Sequence, residues 1–169
     1  DYEWVKMINK MVSDPSRNAF IEEVAMQLLR SGRQVLLLSD RVAHCEFMAS
    51  RFQERGIESE ALVGRLSKKR RKELLRRADS GEIRIVTATT LADEGLDLPR
   101  LGAVILTVPT KNMPRVQQRI GRVMRTSEGK QTPVVIDLMD NARSMRGMAR
   151  KRCRLYRDLG CQFADMEEV

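Results

Sequence analysis

The chain has 169 residues, 42% of them hydrophobic, which suits one domain with a proper core. Its 31 basic and 23 acidic residues leave a net charge of +8, a balance that points to a polyanionic partner such as nucleic acid or nucleotide phosphate. No apolar run approaches the ~20 residues of a membrane span and no signal-peptide pattern opens the chain, so no membrane partner is expected.

Aromatic residues are scarce, so the core must be built from Leu, Val, Ile, Ala and the ten Met. In chain order, Asn18 to Arg30 predicts a helix with Phe20, Val24 and Leu28 beside Ile21 and Ala25. VLLLS (Val35 to Ser39) is a short apolar run rich in branched residues, as in a strand buried on both faces. Ala43 to Arg55 predicts a helix carrying Phe47, Met48 and Phe52 that stops at Gly56. EALVG (Glu60 to Gly64) reads as a less apolar strand, and Ser67 caps a helix running to Ala78, ended by Gly81. EIRIVTA (Glu82 to Ala88), AVILTV (Ala103 to Val108) and PVVIDL (Pro133 to Leu138) are further strands. A short helix around Gln117 and a longer one over Asn141 to Leu159 complete the pattern.

Strands alternating with helices predict an α/β fold, a single domain with a parallel sheet covered by helices on both faces. In such sheets the ligand crevice lies beyond the carboxyl ends of the strands. That places Ser39-Asp40-Arg41, Gly64, Thr87 to Asp97 and Thr107 to Thr110 on one functional edge.

Three constellations carry chemistry. In QQRIGRVMR (Gln117 to Arg125), Gln118, Arg122 and Arg125 follow i, i+4, i+7 spacing and share a helix face, while Ile120, Val123 and Met124 can turn to the core. Two guanidiniums on one face suit an anion with several oxygens, and Gly121 removes a side chain where another surface could approach. The same spacing equally serves a basic surface helix with an incidental glycine. In TATTLADEGLDLP (Thr87 to Pro99), a hydroxyl run (Thr87, Thr89, Thr90) follows a strand, as at phosphate-binding turns. Gly95 permits a sharp turn, and Asp97 presents a carboxylate that could accept from a ribose hydroxyl. An ordinary strand-to-loop connection would also read this way. The third feature is a pair of basic runs. Arg65 to Arg77 holds eight basic residues and one acidic, and Asn141 to Gly160 seven and one. Such density favours a nucleic-acid path over a merely solvated face.

Absences narrow the reading. There is no G-x-x-x-x-G-K-[ST] loop, and with one histidine no Ser/His/Asp or Cys/His arrangement. A small Rossmann-like enzyme therefore lacks both its nucleotide loop and its catalytic groups. Cys45, Cys153 and Cys161 form no C-x-x-C pair and read as buried free thiols in a reducing compartment. His44 beside Cys45 could join a metal site, but nothing else has ligand spacing, so no metal ligand is assigned.

These motifs resemble those of the C-terminal (second RecA-like) domain of superfamily 2 helicases, over residues 1–169 as one domain with 141–169 a basic helix and tail. QRIGRVMR matches helicase motif VI, TATTLADEGLDLP motif V, VLLLSDR (Val35 to Arg41) motif IV, and LVG (Leu62 to Gly64) the following phosphate-contacting turn. The resemblance implies that Arg122 and Arg125 are arginine fingers and that Gln118 sits near the same γ-phosphate. It implies that Gly95 and Asp97 contact the nucleotide, and that Ser39, Arg41, Gly64, Thr89 and Thr90 touch a nucleic-acid backbone. Glu94 departs from the arginine of many DEAD-box proteins. The cofactor would be ATP with Mg2+, held mainly by an N-terminal RecA-like domain of the same chain. Val123-Met124-Arg125, where many DEAD-box proteins have T-G-R, is closer to the DNA-directed branch, and the stretch LSDRVAHC and the tail with Arg150, Tyr156 and Phe163 are similar to phage and large-DNA-virus helicases of the branch-migration and transcript-release type. DNA is thus favoured over RNA, and the expected setting is intracellular: host cytoplasm or virion if viral. A stand-alone nucleic-acid-binding or annealing module and an RNA-directed helicase domain are the alternatives.

Overall fold

Short branched runs and amphipathic helices alternate along the chain, and each finds its complement in the fold. A computed structural model describes residues 2–89, 97–110, 112–123, 129, 131–140 and 142–166. Five strands, β1 (Gln34–Ser39), β2 (Ser59–Leu62), β3 (Ile85–Thr89), β4 (Leu101–Leu106) and β5 (Val134–Asp137), form one sheet in the order β2-β3-β1-β4-β5. Every pairing is parallel. The helices are α1 (Tyr2–Val12), α2 (Pro15–Arg30), α3 (Val42–Glu54), α4 (Lys68–Asp79), α5 (Met113–Val123) and α6 (Arg143–Asp158).

The period of two along the strands sorts the core into two halves. Leu36, Leu38, Val86, Ala88 and Val104 face α4, α5 and α6 through Leu74, Ala78, Ile120 and Tyr156. Val35, Leu37, Ile85, Ala103 and Ile105 face α2 and α3 through Ile21, Val24, Ala25, Leu28, Met48 and Phe52. Each fully buried large aliphatic side chain contributes about 1.5–3 kcal/mol by leaving water, so both layers are needed. The expected α/β RecA-like sheet, covered on both faces, is the observed one.

Several local expectations are corrected. The second helix starts at Pro15, not Asn18: Asp14 caps it by accepting from the Arg17 amide at 3.0 Å, with Pro15 in the first turn. Phe20 (55% exposed) and Phe47 (47% exposed) lie outside the buried stripes of their helices. At ~100° per residue Phe47 points away from the side shared by Cys45, Met48 and Phe52. The strand read over Glu82 to Ala88 begins only at Ile85, because the Ile83 amide donates to the Arg77 carbonyl in the preceding turn. Helix α1 was not anticipated, although Trp4, Ile8 and Met11 have helical spacing and Ile8 is buried. Ser67 does cap α4, accepting from the Arg70 amide at 3.2 Å.

Candidate functional site

Parallel pairing brings the predicted residues of the first three strands to one edge. Ser39 and Thr89 are direct register partners across β1 and β3, and Leu62 of β2 is opposite Ala88, so Gly64 follows onto the same rim. Gly64 is exposed, with nothing within 4 Å of where a Cβ would sit. Thr89 is buried at the strand end, Asp97 is exposed, and Thr90 and Gly95 lie outside the described residues. Thr87, part of the anticipated hydroxyl run, is fully buried and donates to the Cys45 carbonyl at 2.8 Å. Its hydroxyl therefore serves packing between β3 and α3.

Ser39 is 1% exposed, and its hydroxyl is committed inside the fold rather than presented at the surface. Its Oγ lies 2.9 Å from His44 Nδ1 and accepts the Arg41 amide at 3.3 Å. His44 Nε2 is 2.9 Å from Asn18 Oδ1, while Asn18 Nδ2 donates to the Val12 carbonyl at 3.0 Å. These partners select the neutral tautomer in which Nε2–H donates to Asn18 and the Ser39 hydroxyl donates to Nδ1. Burial, with the charge of Arg17 nearby, pushes the His44 pKa down to about 4, so the ring stays neutral near pH 7. Burial pushes the Cys45 thiol up to about 12, which makes it an inert core group, whereas Cys153 and Cys161 are only half-buried. Beyond this network, Arg41 is half-buried, with Nε donating to Asn9 Oδ1 at 2.8 Å and Nη1 to the Asp40 carbonyl. Asn9 belongs to α1, so the unanticipated helix holds a predicted site residue.

On the other side of β1, the Thr107 Oγ donates to the Leu38 carbonyl at 2.7 Å, and the Thr107 carbonyl accepts Nε and Nη2 of Arg17. The remaining Arg17 donors reach both carboxylate oxygens of Asp140, beyond β5. Arg17 thus pins the segments following β4 and β5 together, a role the sequence reading missed. The Asp14-Pro15 helix start was its available clue.

The chain then caps α5, Asn112 Oδ1 accepting the Arg115 amide at 3.2 Å. Ile120 is buried in the core, while Gln118 and Gly121 are exposed. At ~100° per residue Gln118 stands about 160° round the helix from Ile120, while the Arg122 side chain lies outside the described residues. Among the described residues nothing lies within 4 Å of a Cβ built at Gly121, so packing within this domain does not require the glycine. Arg125 lies outside the described residues.

The two basic runs part company. Arg65, Arg70, Arg76 and Arg77, in and before α4, pair with Glu46, Glu58, Glu60, Glu73 and Glu82. Within α6, Arg152 is 2% exposed and forks onto Asp137 of β5 with Nε and Nη2 at 2.6 and 3.0 Å. Tyr156 donates to the same carboxylate, and burial, reinforced by Asp137, pushes its phenol pKa up. Among the described residues no group of three His, Cys, Asp or Glu side chains could hold a metal ion, and no helix is long and apolar enough to cross a membrane.

Comparison with known proteins places this geometry. Residues 17–127 match the helicase conserved C-terminal domain. A protein named helicase 22 in Sulfolobus islandicus filamentous virus is 32% identical over 106 residues, covering 63% of this chain and 19% of the viral protein. One named helicase D10 in Escherichia phage T5 is 26% identical over 96% of this chain and 36% of its own length. The chain thus spans about a fifth to a third of the length of these curated relatives. Among solved structures, the RNA-helicase Prp28 from Chaetomium thermophilum bound to ADP superposes with a TM-score of 0.70, at 21% identity over 87% of this chain and 35% of that one.

Proposed function

Because the chain belongs to the helicase conserved C-terminal domain family, here of superfamily 2, we propose that it is the second RecA-like half of an ATP-dependent nucleic-acid motor, working with an N-terminal RecA-like domain of the same chain. Bound ATP with Mg2+, held mainly by that domain, supplies the phosphoanhydride to be cleaved. In this reading Arg122 and Arg125 offer forked N–H donors to the charge that develops on the transferring γ-phosphoryl group. Gln118 helps to orient the same phosphate, and Gly121 leaves room for close approach across the cleft. Asp97 accepts from a ribose hydroxyl after the turn that Gly95 permits. Arg41, Gly64, Thr89 and Thr90 touch the phosphate backbone of a strand lying over the sheet edge, while Ser39 fixes the Arg41 amide from beneath.

The observation that carries this reading is α5: Ile120 is buried in the core while Gln117, Gln118 and Gly121 are exposed. DNA is the favoured strand, supported by Val123-Met124-Arg125, where many DEAD-box proteins have T-G-R.

Arg122→Ala or Arg125→Ala in the full-length protein is expected to lower nucleic-acid-stimulated ATP hydrolysis by about 10³-fold or more, with nucleic-acid binding retained. Near-normal turnover in both variants would overturn the assignment. Equal stimulation of the unmodified protein by RNA and single-stranded DNA would remove the DNA preference.

A further inference from the structure

The two basic runs look alike in sequence, but the fold uses their charges differently. In α4 the arginines are turned to acids: Arg70 reaches Glu60 at 2.9 Å, Arg76 reaches Glu73 at 2.9 Å, and Arg77 reaches Glu58, Glu60 and Glu82. These pairs clamp the helix to edge strand β2 and to the turn before β3 and spend those three arginines within the fold. Helix α6 is sided instead. Met145, Ala149, Arg152 and Tyr156 are buried, and Arg146, Arg150, Lys151, Arg154 and Arg157 are exposed. At ~100° per residue, Arg150, Lys151, Arg154 and Arg157 fall within about 120° of arc. Among the described residues Arg150, Lys151 and Arg154 have no carboxylate partner within 4.0 Å, and Arg157 packs its guanidinium 5.3 Å from the Phe163 ring centroid. Gly147 lies in the same arc, with nothing within 4 Å of a built Cβ, so a partner can come close to the helix backbone there.

We propose that this exposed face of α6 is a second nucleic-acid contact, a track for a phosphate backbone additional to the rim at Arg41, Gly64 and Thr89. Charge complementarity selects the occupant: unpaired cations in a row, with only Asp158 among them, match a polyanion of regular charge spacing. Arg150 to Arg157 spans about 10 Å of helix at ~1.5 Å per residue, enough to face successive phosphates of one strand. Placement agrees. The helix starts six residues past the carboxyl end of β5, at the same end of the sheet as the rim but on its other side, and the cations lie on the later turns, so the track is separate from the rim. The inference rests on the motor reading only in taking the polyanion to be nucleic acid.

The test compares two variants of the full-length protein, Arg150→Ala/Lys151→Ala/Arg154→Ala on α6 and Arg70→Ala/Arg76→Ala on α4, whose charges are already met by Glu60 and Glu73. Binding of a fluorescent single-stranded oligonucleotide is titrated from 50 to 300 mM salt. The α6 variant is expected to bind at least tenfold more weakly near 100 mM salt, and to lose about two units from the slope of log K against log salt, at ~0.7 per phosphate contact. The α4 variant should keep both values, and Arg150→Lys/Arg154→Lys should keep the slope. ATP hydrolysis without nucleic acid should be unchanged in the α6 variant, which separates this outcome from failure of the arginine-finger assignment. An unchanged affinity and slope in the α6 variant overturns the proposal. So does loss of binding only to anionic lipid vesicles, with the oligonucleotide held as before.

Discussion

His44 shows how one buried polar side chain acquires a measurable effect. It is 4% exposed, neutral, and held between Ser39 and Asn18. Its pKa falls from 6.5 to about 4 on folding, chiefly through burial. The unfolded chain therefore takes up a proton as pH drops through about 6.5, while the folded chain refuses it until about 4. Stability is complete above that window and declines within it, by up to about 3 kcal/mol at ~1.4 kcal/mol per unit. Urea denaturation of the unmodified chain and of His44→Gln should show their stability difference shrinking by roughly 2–3 kcal/mol between pH 7.5 and 4.5. Parallel profiles would show that His44 is not the group responsible. In the sequence His44 is visible only as a neighbour of Cys45; Asn18, 26 positions away, becomes its partner only when α2 packs on α3.

At the scale of elements, the sheet-to-helix anchor of α6 is decisive. Arg152 stays ionised at any pH the protein meets, and with a 2% exposed side chain it depends on Asp137, itself 5% exposed. Asp137→Ala leaves that charge buried and unpaired, an expected loss of about 3–5 kcal/mol. Arg152→Met should cost less, because the Asp137 carboxylate keeps the Tyr156 hydroxyl as a donor. Chemical denaturation of both variants checks the order, and equal losses would show that packing rather than charge governs the anchor. The run Arg143 to Arg157 gave no hint that one of its arginines faces inward. That follows from the turn of the helix against β5, where Arg152 shares the buried stripe of Met145, Ala149 and Tyr156. Helix limits were legible where a local residue sets them, as Ser67 does for α4. They slipped by a few residues where neighbouring turns compete for the backbone, as before β3.

At the scale of the molecule, the all-parallel order β2-β3-β1-β4-β5 brings Ser39, Arg41, Gly64 and Thr89 to one end of the sheet, with Gln118 on α5. The proposed groups act on a phosphate and a strand, yet the chain has no Gly-rich loop of the G-x-x-x-x-G-K-[ST] kind to hold a nucleotide. The purified 169-residue chain is accordingly expected to hydrolyse no ATP above background, with or without nucleic acid, as measured by phosphate release. Robust turnover by this chain alone would show that the two-domain division of labour is mistaken.

The sequence by itself determined the strands, most helices and the spacing of Gln118 with Arg122, because continuous apolar runs, helical periodicity and capping are local properties of the chain. Only the tertiary structure decided which polar groups are spent within the fold. Ser39 and Thr87 turn inward, Arg152 is buried, Arg70 and Arg77 pair with Glu60 of β2, and Arg150, Lys151 and Arg154 stay exposed. A side chain's solvation and its charge partner depend on what packs against it from distant parts of the chain, and no local pattern encodes that.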